Sequence, residues 1–164
     1  MDPGAFVSWC RRVRNDSLCA VWIIDDTGVC SPSLQGWNKF EGEVGAYDVK
    51  WQDLVDPTEN IKINSSPVKS TTESVAALGD VQALGENLAT KRNAKLVAAE
   101  ERQTDGVLFY TFDFAIKDGT HQFLLLCIGK GKLWSVDANS KESRWSKRED
   151  LYRNVLGSFI PKLA

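Results

Sequence analysis

Long apolar runs, paired thiols and histidines are all scarce in this chain, and each shortage removes a class of function. The longest unbroken apolar stretches, 18–24 and 123–128, fall well short of the roughly 20 residues that a helix needs to cross a bilayer. A membrane-spanning helix is therefore not expected. A single histidine, His121, excludes any mechanism that needs two imidazoles, and no nucleophile-and-base pattern surrounds it. Cys10, Cys19, Cys30 and Cys127 include no C-x-x-C pair, so neither a thiolate zinc site nor a thioredoxin-type couple is indicated. Phosphate-binding glycine fingerprints and EF-hand loops are absent as well. Gly129-Lys130-Gly131-Lys132 lies between two strand patterns with no helix behind it, and reads as a turn. An excess of either charge is also missing. Twenty-two acidic and 20 basic side chains leave a net charge of −2, which gives no field to draw the chain onto nucleic acid.

What is present suits one ordered domain. The chain has 164 residues, 43% of them apolar and 26% charged, enough for a single core and unlike a disordered segment. Residues 1–35 read as an atypical appendage, with three of the four cysteines, the basic cluster Arg11, Arg12 and Arg14, and a short apolar patch closed by Asp25 and Asp26. Arg11-Arg12 invites a twin-arginine export reading. The apolar patch is short for a signal segment, however, and no convincing cleavage site follows it. A poorly ordered terminus fits equally. Cys10, Cys19 and Cys30 could supply one disulfide in an oxidising compartment, whereas Cys127 reads as a small buried hydrophobe.

Residues 36–164 carry the domain. Tyr47, Val49 and Trp51 alternate with Asp48, Lys50 and Gln52 in a half-buried strand. Asp56-Pro57-Thr58 supplies turn chemistry before a partner strand containing Ile61 and Ile63. Asp80 caps a helix running to about Arg92, which Gly85 weakens by about 1 kcal/mol relative to alanine. Four strands follow, at about 94–102, 107–116, 121–128 and 132–138, joined through Asp105-Gly106, Asp118-Gly119 and Gly129-Lys130-Gly131. Leu108, Tyr110, Phe112, Phe114 and Ile116 share one face of the second, and Thr111 and Asp113 the other. Phe123–Ile128 is apolar throughout, so it should be central and covered on both faces. A last helix, opened by a capping box at Ser146 and Glu149, offers Tyr152, Val155, Leu156 and Phe159 as one cover before Pro161 ends it. The expected fold is α+β: a central antiparallel sheet of about six strands flanked by helices.

His121 opening a strand, Gly131-Lys132-Leu133-Trp134 starting the next, Arg144-Trp145 before the last helix and Gly157-Ser158-Phe159 near the end form an ordered set. Together they resemble the PsbP family, as do Gly36-Trp37-Asn38 and the acidic turn from Asp53 to Ile61. The resemblance covers about residues 36–164 and implies an α/β/α sandwich. It also implies a non-catalytic extrinsic protein of the chloroplast thylakoid lumen, peripheral to the membrane beside photosystem II or another photosynthetic complex, with an assembly, stabilisation or oxygen-evolving-complex accessory role. Residues 1–35 lack the family's usual approach to its first strand, the segment that helps docking and the retention of calcium and chloride. The oxygen-evolving role is therefore not carried over directly.

Metal association by a histidine and an acidic residue within the family points here to His121 and Glu142. One imidazole and one carboxylate would be an incomplete site, suited to manganese or zinc more than to calcium, so a calcium connection would run through the complex. The plainer alternative is that His121 begins a strand at a partly exposed edge and Glu142 is a solvated turn residue. Arg144-Trp145 could set a guanidinium beside a ring, and Trp37, Trp51 and Trp134 fit a core. Two other functions stay open: a small-molecule or lipid carrier with a pocket lined by Tyr110 to Phe114, and a Ran-binding nuclear-transport factor of the same fold.

Overall fold

The computed structural model describes residues 21–24, 30–33 and 36–161. Strands β1 (Val21–Ile24) and β2 (Cys30–Ser33) pair as a two-stranded antiparallel ribbon. The readings of the basic cluster at 11–14 and of a disulfide among Cys10, Cys19 and Cys30 lie outside the described side chains.

The main sheet has seven strands in the order β3-β4-β5-β9-β8-β7-β6. They are β3 (Trp37–Glu43), β4 (Tyr47–Asp53), β5 (Asn60–Pro67), β6 (Ala94–Thr104), β7 (Val107–Ile116), β8 (Thr120–Gly129) and β9 (Lys132–Lys141). All neighbours are antiparallel. Two meanders, β3-β4-β5 and β6-β7-β8-β9, are thus joined side by side through the pairing of β5 with β9.

The extra strand relative to the sequence expectation is β3. As an edge strand it buries little, and Asn38, Lys39 and Phe40 are all exposed, so no strong alternation marks it. The three expected hairpins are present. Lys130 and Gly131 turn from β8 to β9 with φ of 53° and 68°, the positive pair that a right-twisted two-residue hairpin requires.

Helix α1 (Val81–Arg92) begins at Asp80, whose carboxylate accepts from the backbone N–H groups of Gln82 and Ala83 at 3.0 and 3.1 Å. A 3₁₀ turn, Val75–Leu78, precedes it. Helix α2 (Glu142–Ser158) starts five residues earlier than a capping box with Ser146 as its N-cap suggested. Lys141 provides no side-chain cap. Instead the Glu142 N–H donates to the carbonyl of Gly119 in the β7–β8 turn, at 2.8 Å, so tertiary structure satisfies a group that a capping side chain otherwise would.

Each helix covers one face. Tyr110, Phe112, Phe114, Leu124, Leu126 and Ile128 pack with α1 and the 3₁₀ turn. Phe109, Phe123, Leu125, Cys127, Val136 and Ala138 pack with Trp145, Tyr152, Leu156 and Phe159 of the α2 layer. Alternate residues of the all-apolar β8 thus enter two separate cores, as expected of a central strand. The aromatic face considered for a ligand pocket is filled: Phe112 and Phe114 are 0% exposed. Trp51 is buried in the α2-side core, with Trp37 and Trp134 packed against it.

Candidate functional site

The polar chemistry of the domain gathers where the N-terminal half of α2 meets the sheet. Two buried carboxylates, one in the β4–β5 turn and one on β7, organise it.

Glu59, next to the start of β5, is 0% exposed. An isolated buried carboxylate would be costly, and α2 supplies the compensation. Arg144 and Arg148, spaced i, i+4, project from one helix face. Arg148 Nε donates to Glu59 Oε2 and its terminal nitrogen to Asp53, the latter at 3.1 Å, while Arg144 Nε faces Glu59 Oε1 as an ion pair. The β4–β5 turn is ordered around this anchor. Asp53 Oδ1 accepts from the N–H groups of Val55 and Asp56 at 2.8 and 2.9 Å. The Leu54 N–H donates to the Gly36 carbonyl at 3.1 Å. Asp56 accepts from the Thr58 hydroxyl and from Lys141, the latter at 2.9 Å. Its hydrogen bonds from Thr58 and then Lys141 hold its carboxyl at about 2.

The second carboxylate is Asp113 of β7, 3% exposed. Asp113 and His121 stand two rungs apart on paired strands, with Ala115 opposite His121, so their side chains share a sheet face. His121 Nε2 meets Asp113 Oδ1, and Nδ1 meets Glu142 Oε2 at 2.7 Å. Arg153 donates to Asp113 at 3.2 Å and to Glu149 at 2.8 Å. The Trp145 ring lies on the imidazole, centroids 3.8 Å apart and planes inclined by 15°. Burial opposes the charged imidazole, but hydrogen bonds to Asp113 and then Glu142 outweigh it and raise the pKa.

The structure therefore brings the two sequence candidates together, although His121 is 3% exposed in the second strand from the β5–β9 join, not at a partly exposed edge. Glu142 occupies the first turn of α2 with its side chain 53% exposed. Both ring nitrogens already face carboxylates, so neither is open to a metal without displacing one of them. The described residues contain no group of three or more His, Cys, Asp or Glu side chains placed to hold an ion. As arranged, the donor set fits an ion-pair network and does not fit a resident metal. Arg144 is paired with Glu59, and the ring beside it, Trp145, stacks on His121 instead of on a guanidinium.

Sequence reasoning missed Glu59 and Asp113. A usable signal existed for each: two arginines one turn apart on a helix face that otherwise enters the core, and an aspartate on the second face of a strand covered on both sides.

A mixed pair of antiparallel meanders under two helices, with its buried acids neutralised by arginines and one histidine, is an α+β sandwich whose polar seam fastens α2 to the sheet. Residues 32–160 match the family model described as PsbP. The chain belongs to the PsbP family. CyanoP of Thermosynechococcus vestitus is 26% identical over 141 residues, covering 76% of this chain and 76% of that protein. CyanoP of Synechocystis is 27% identical over 130 residues, covering 73% and 69%. PsbP-like protein 1, chloroplastic, of Arabidopsis thaliana is 24% identical over 133 residues, and the chain covers 56% of its length. The solution structure of cyanobacterial PsbP (CyanoP) from Synechocystis superposes with a TM-score of 0.72 at 24% identity, over 95% of this chain and 99% of that one. That structural likeness is one of fold.

Proposed function

We propose that this chain is a non-catalytic extrinsic protein of the thylakoid lumen that docks on photosystem II or another photosynthetic complex and serves its assembly or stabilisation. The observation that carries the reading is the family match across 32–160, which takes in the whole main sheet and α2. The seam supports it: the carboxylates, guanidiniums and imidazole are spent on one another, which suits a rigid platform more than a reactive centre. Among the described residues no helix is long and apolar enough to cross a membrane, in keeping with peripheral attachment. Calcium or manganese enters this reading through the complex, because His121 and Glu142 are already engaged with each other.

The test is fractionation of photosynthetic membranes from the source cells. A lumenal pool released by salt and comigrating with a photosystem on blue-native gels is the expected result. Absence from the photosynthetic membrane fraction would sink the reading and bring the nuclear-transport alternative forward. Metal titration watched at the His121 imidazole resonance checks the rest: no shift with manganese or zinc is expected until Asp113 or Glu142 is removed.

A further inference from the structure

The β4–β5 turn presents two adjacent aliphatic side chains to solvent, Leu54 at 60% and Val55 at 87% exposure. Turn tips are ordinarily polar, and single exposed apolar residues need no explanation. Here the two stand together on a turn that the fold goes to unusual lengths to hold still. Asp53, Asp56 and Glu59 all face inward and are taken up by Arg148, Lys141 and Arg144 of the β9–α2 corner. The backbone N–H groups of Leu54, Val55 and Asp56 are each bonded within the protein. A surface held in its bound shape beforehand loses little freedom on association.

The ion pairs beside the turn are also asymmetric. Asp56 and Glu59 side chains are 14% and 0% exposed, whereas their partners Lys141 and Arg144 are 52% and 41% exposed. The aliphatic tip therefore belongs to a turn whose acids are paired with two cations that remain partly open to solvent.

We propose that the Leu54-Val55 tip is a docking knob that enters an apolar socket edged by carboxylates on a protein partner. A bilayer is a poorer match. The tip has no tryptophan or tyrosine to sit at the headgroup level, and two partly exposed cations fall short of the cluster of about four to eight that recognises anionic lipid. The inference rests on the docking reading above, and assigns its contact.

The experiment uses the full chain and salt-stripped photosynthetic membranes, with a benzophenone amino acid replacing Val55 for photo-crosslinking. Binding is measured in parallel for the unaltered chain, for the double variant Leu54→Asp with Val55→Asp, and for Val44→Asp and Val97→Asp. The last two positions are also exposed aliphatics, at 105% and 54%, away from this turn. The expected result is an adduct between position 55 and a polypeptide of the membrane complex, at least about tenfold weaker binding by the double variant, and unchanged binding by the two controls. Thermal unfolding of the double variant should match the unaltered chain, which separates lost contact from lost fold. If the unaltered chain binds and the double variant binds equally well, the knob is overturned while the docking reading stands. Adducts to lipid, or within the chain itself, overturn it too. No binding by the unaltered chain overturns both.

Discussion

Glu59 is the residue on which most of the seam depends, because removing one partner of a buried ion pair leaves the others desolvated and uncompensated. Glu59→Gln keeps the shape but removes the charge that faces both guanidiniums, leaving Arg148 with Asp53 alone and Arg144 to solvent, and is expected to lower stability by about 2 kcal/mol, read as a lower urea midpoint at unchanged slope. His121 offers a second, cleaner readout, since it is the only histidine in the chain and gives a single imidazole titration. Its folded pKa is raised despite burial, through Asp113 and Glu142. The stabilisation it brings is therefore complete below the unfolded value of about 6.5 and is lost as pH rises through the higher folded value. Urea midpoints of the unaltered chain should fall over that window, and those of His121→Gln should not. A midpoint at or below about 6.5 for the ring protons would show that burial wins. Cys127, buried beneath α2, has its thiol pushed up to about 12 by desolvation, so it should resist thiol reagents while the fold is intact.

At the scale of elements, α1 carries an apparent flaw with a packing reason. Gly85 sits mid-helix and buried, and an added Cβ would meet Leu96 Cδ2 and Phe112 Cδ1 at 3.0 Å. Gly85→Ala gains about 1 kcal/mol of helix propensity, but pushing the helix off β6 and β7 costs more. A net loss of about 1 kcal/mol is expected by denaturant unfolding; a gain in stability would mean that the sheet yields more easily than a close-packed core should. The helix itself, its Asp80 cap and the strands β4 to β9 were legible in the sequence, because hydrophobic period and turn residues are local signals. The edge strand β3 was not, since an edge with one solvated face and few buried residues leaves no alternation to read. The true start of α2 was hidden for a different reason: its first N–H is satisfied by Gly119, a residue 23 positions away from Glu142. The candidate site divides in the same way. His121 and Glu142 were found through family likeness, whereas the arginines that hold Glu59 and Asp113 lie 40 or more positions away in the sequence and leave only an indirect trace of them.

For the molecule as a whole, the family match and the sandwich fix the architecture, and the docking reading turns on surfaces that no local pattern announces. The topology has a kinetic consequence as well. Within each meander every pairing is between strands adjacent in sequence, but β5 and β9 bring Asn60 opposite Asn139 and Ile63 opposite Val136. Closing that long loop is the costliest entropic step in assembling the sheet, and non-local pairings slow folding. Trimming a methylene at this join with Ile63→Val, a residue 1% exposed, costs about 1 kcal/mol. That loss should appear mainly as slower refolding in stopped-flow chevrons. A methylene removed from the periphery, by Leu96→Val, should instead speed unfolding. Refolding rates indifferent to Ile63→Val would place the rate-limiting event inside one meander. The expected result places it at the join, so the two halves of the sheet form as separate ribbons and the protein becomes one body only when β9 finds β5.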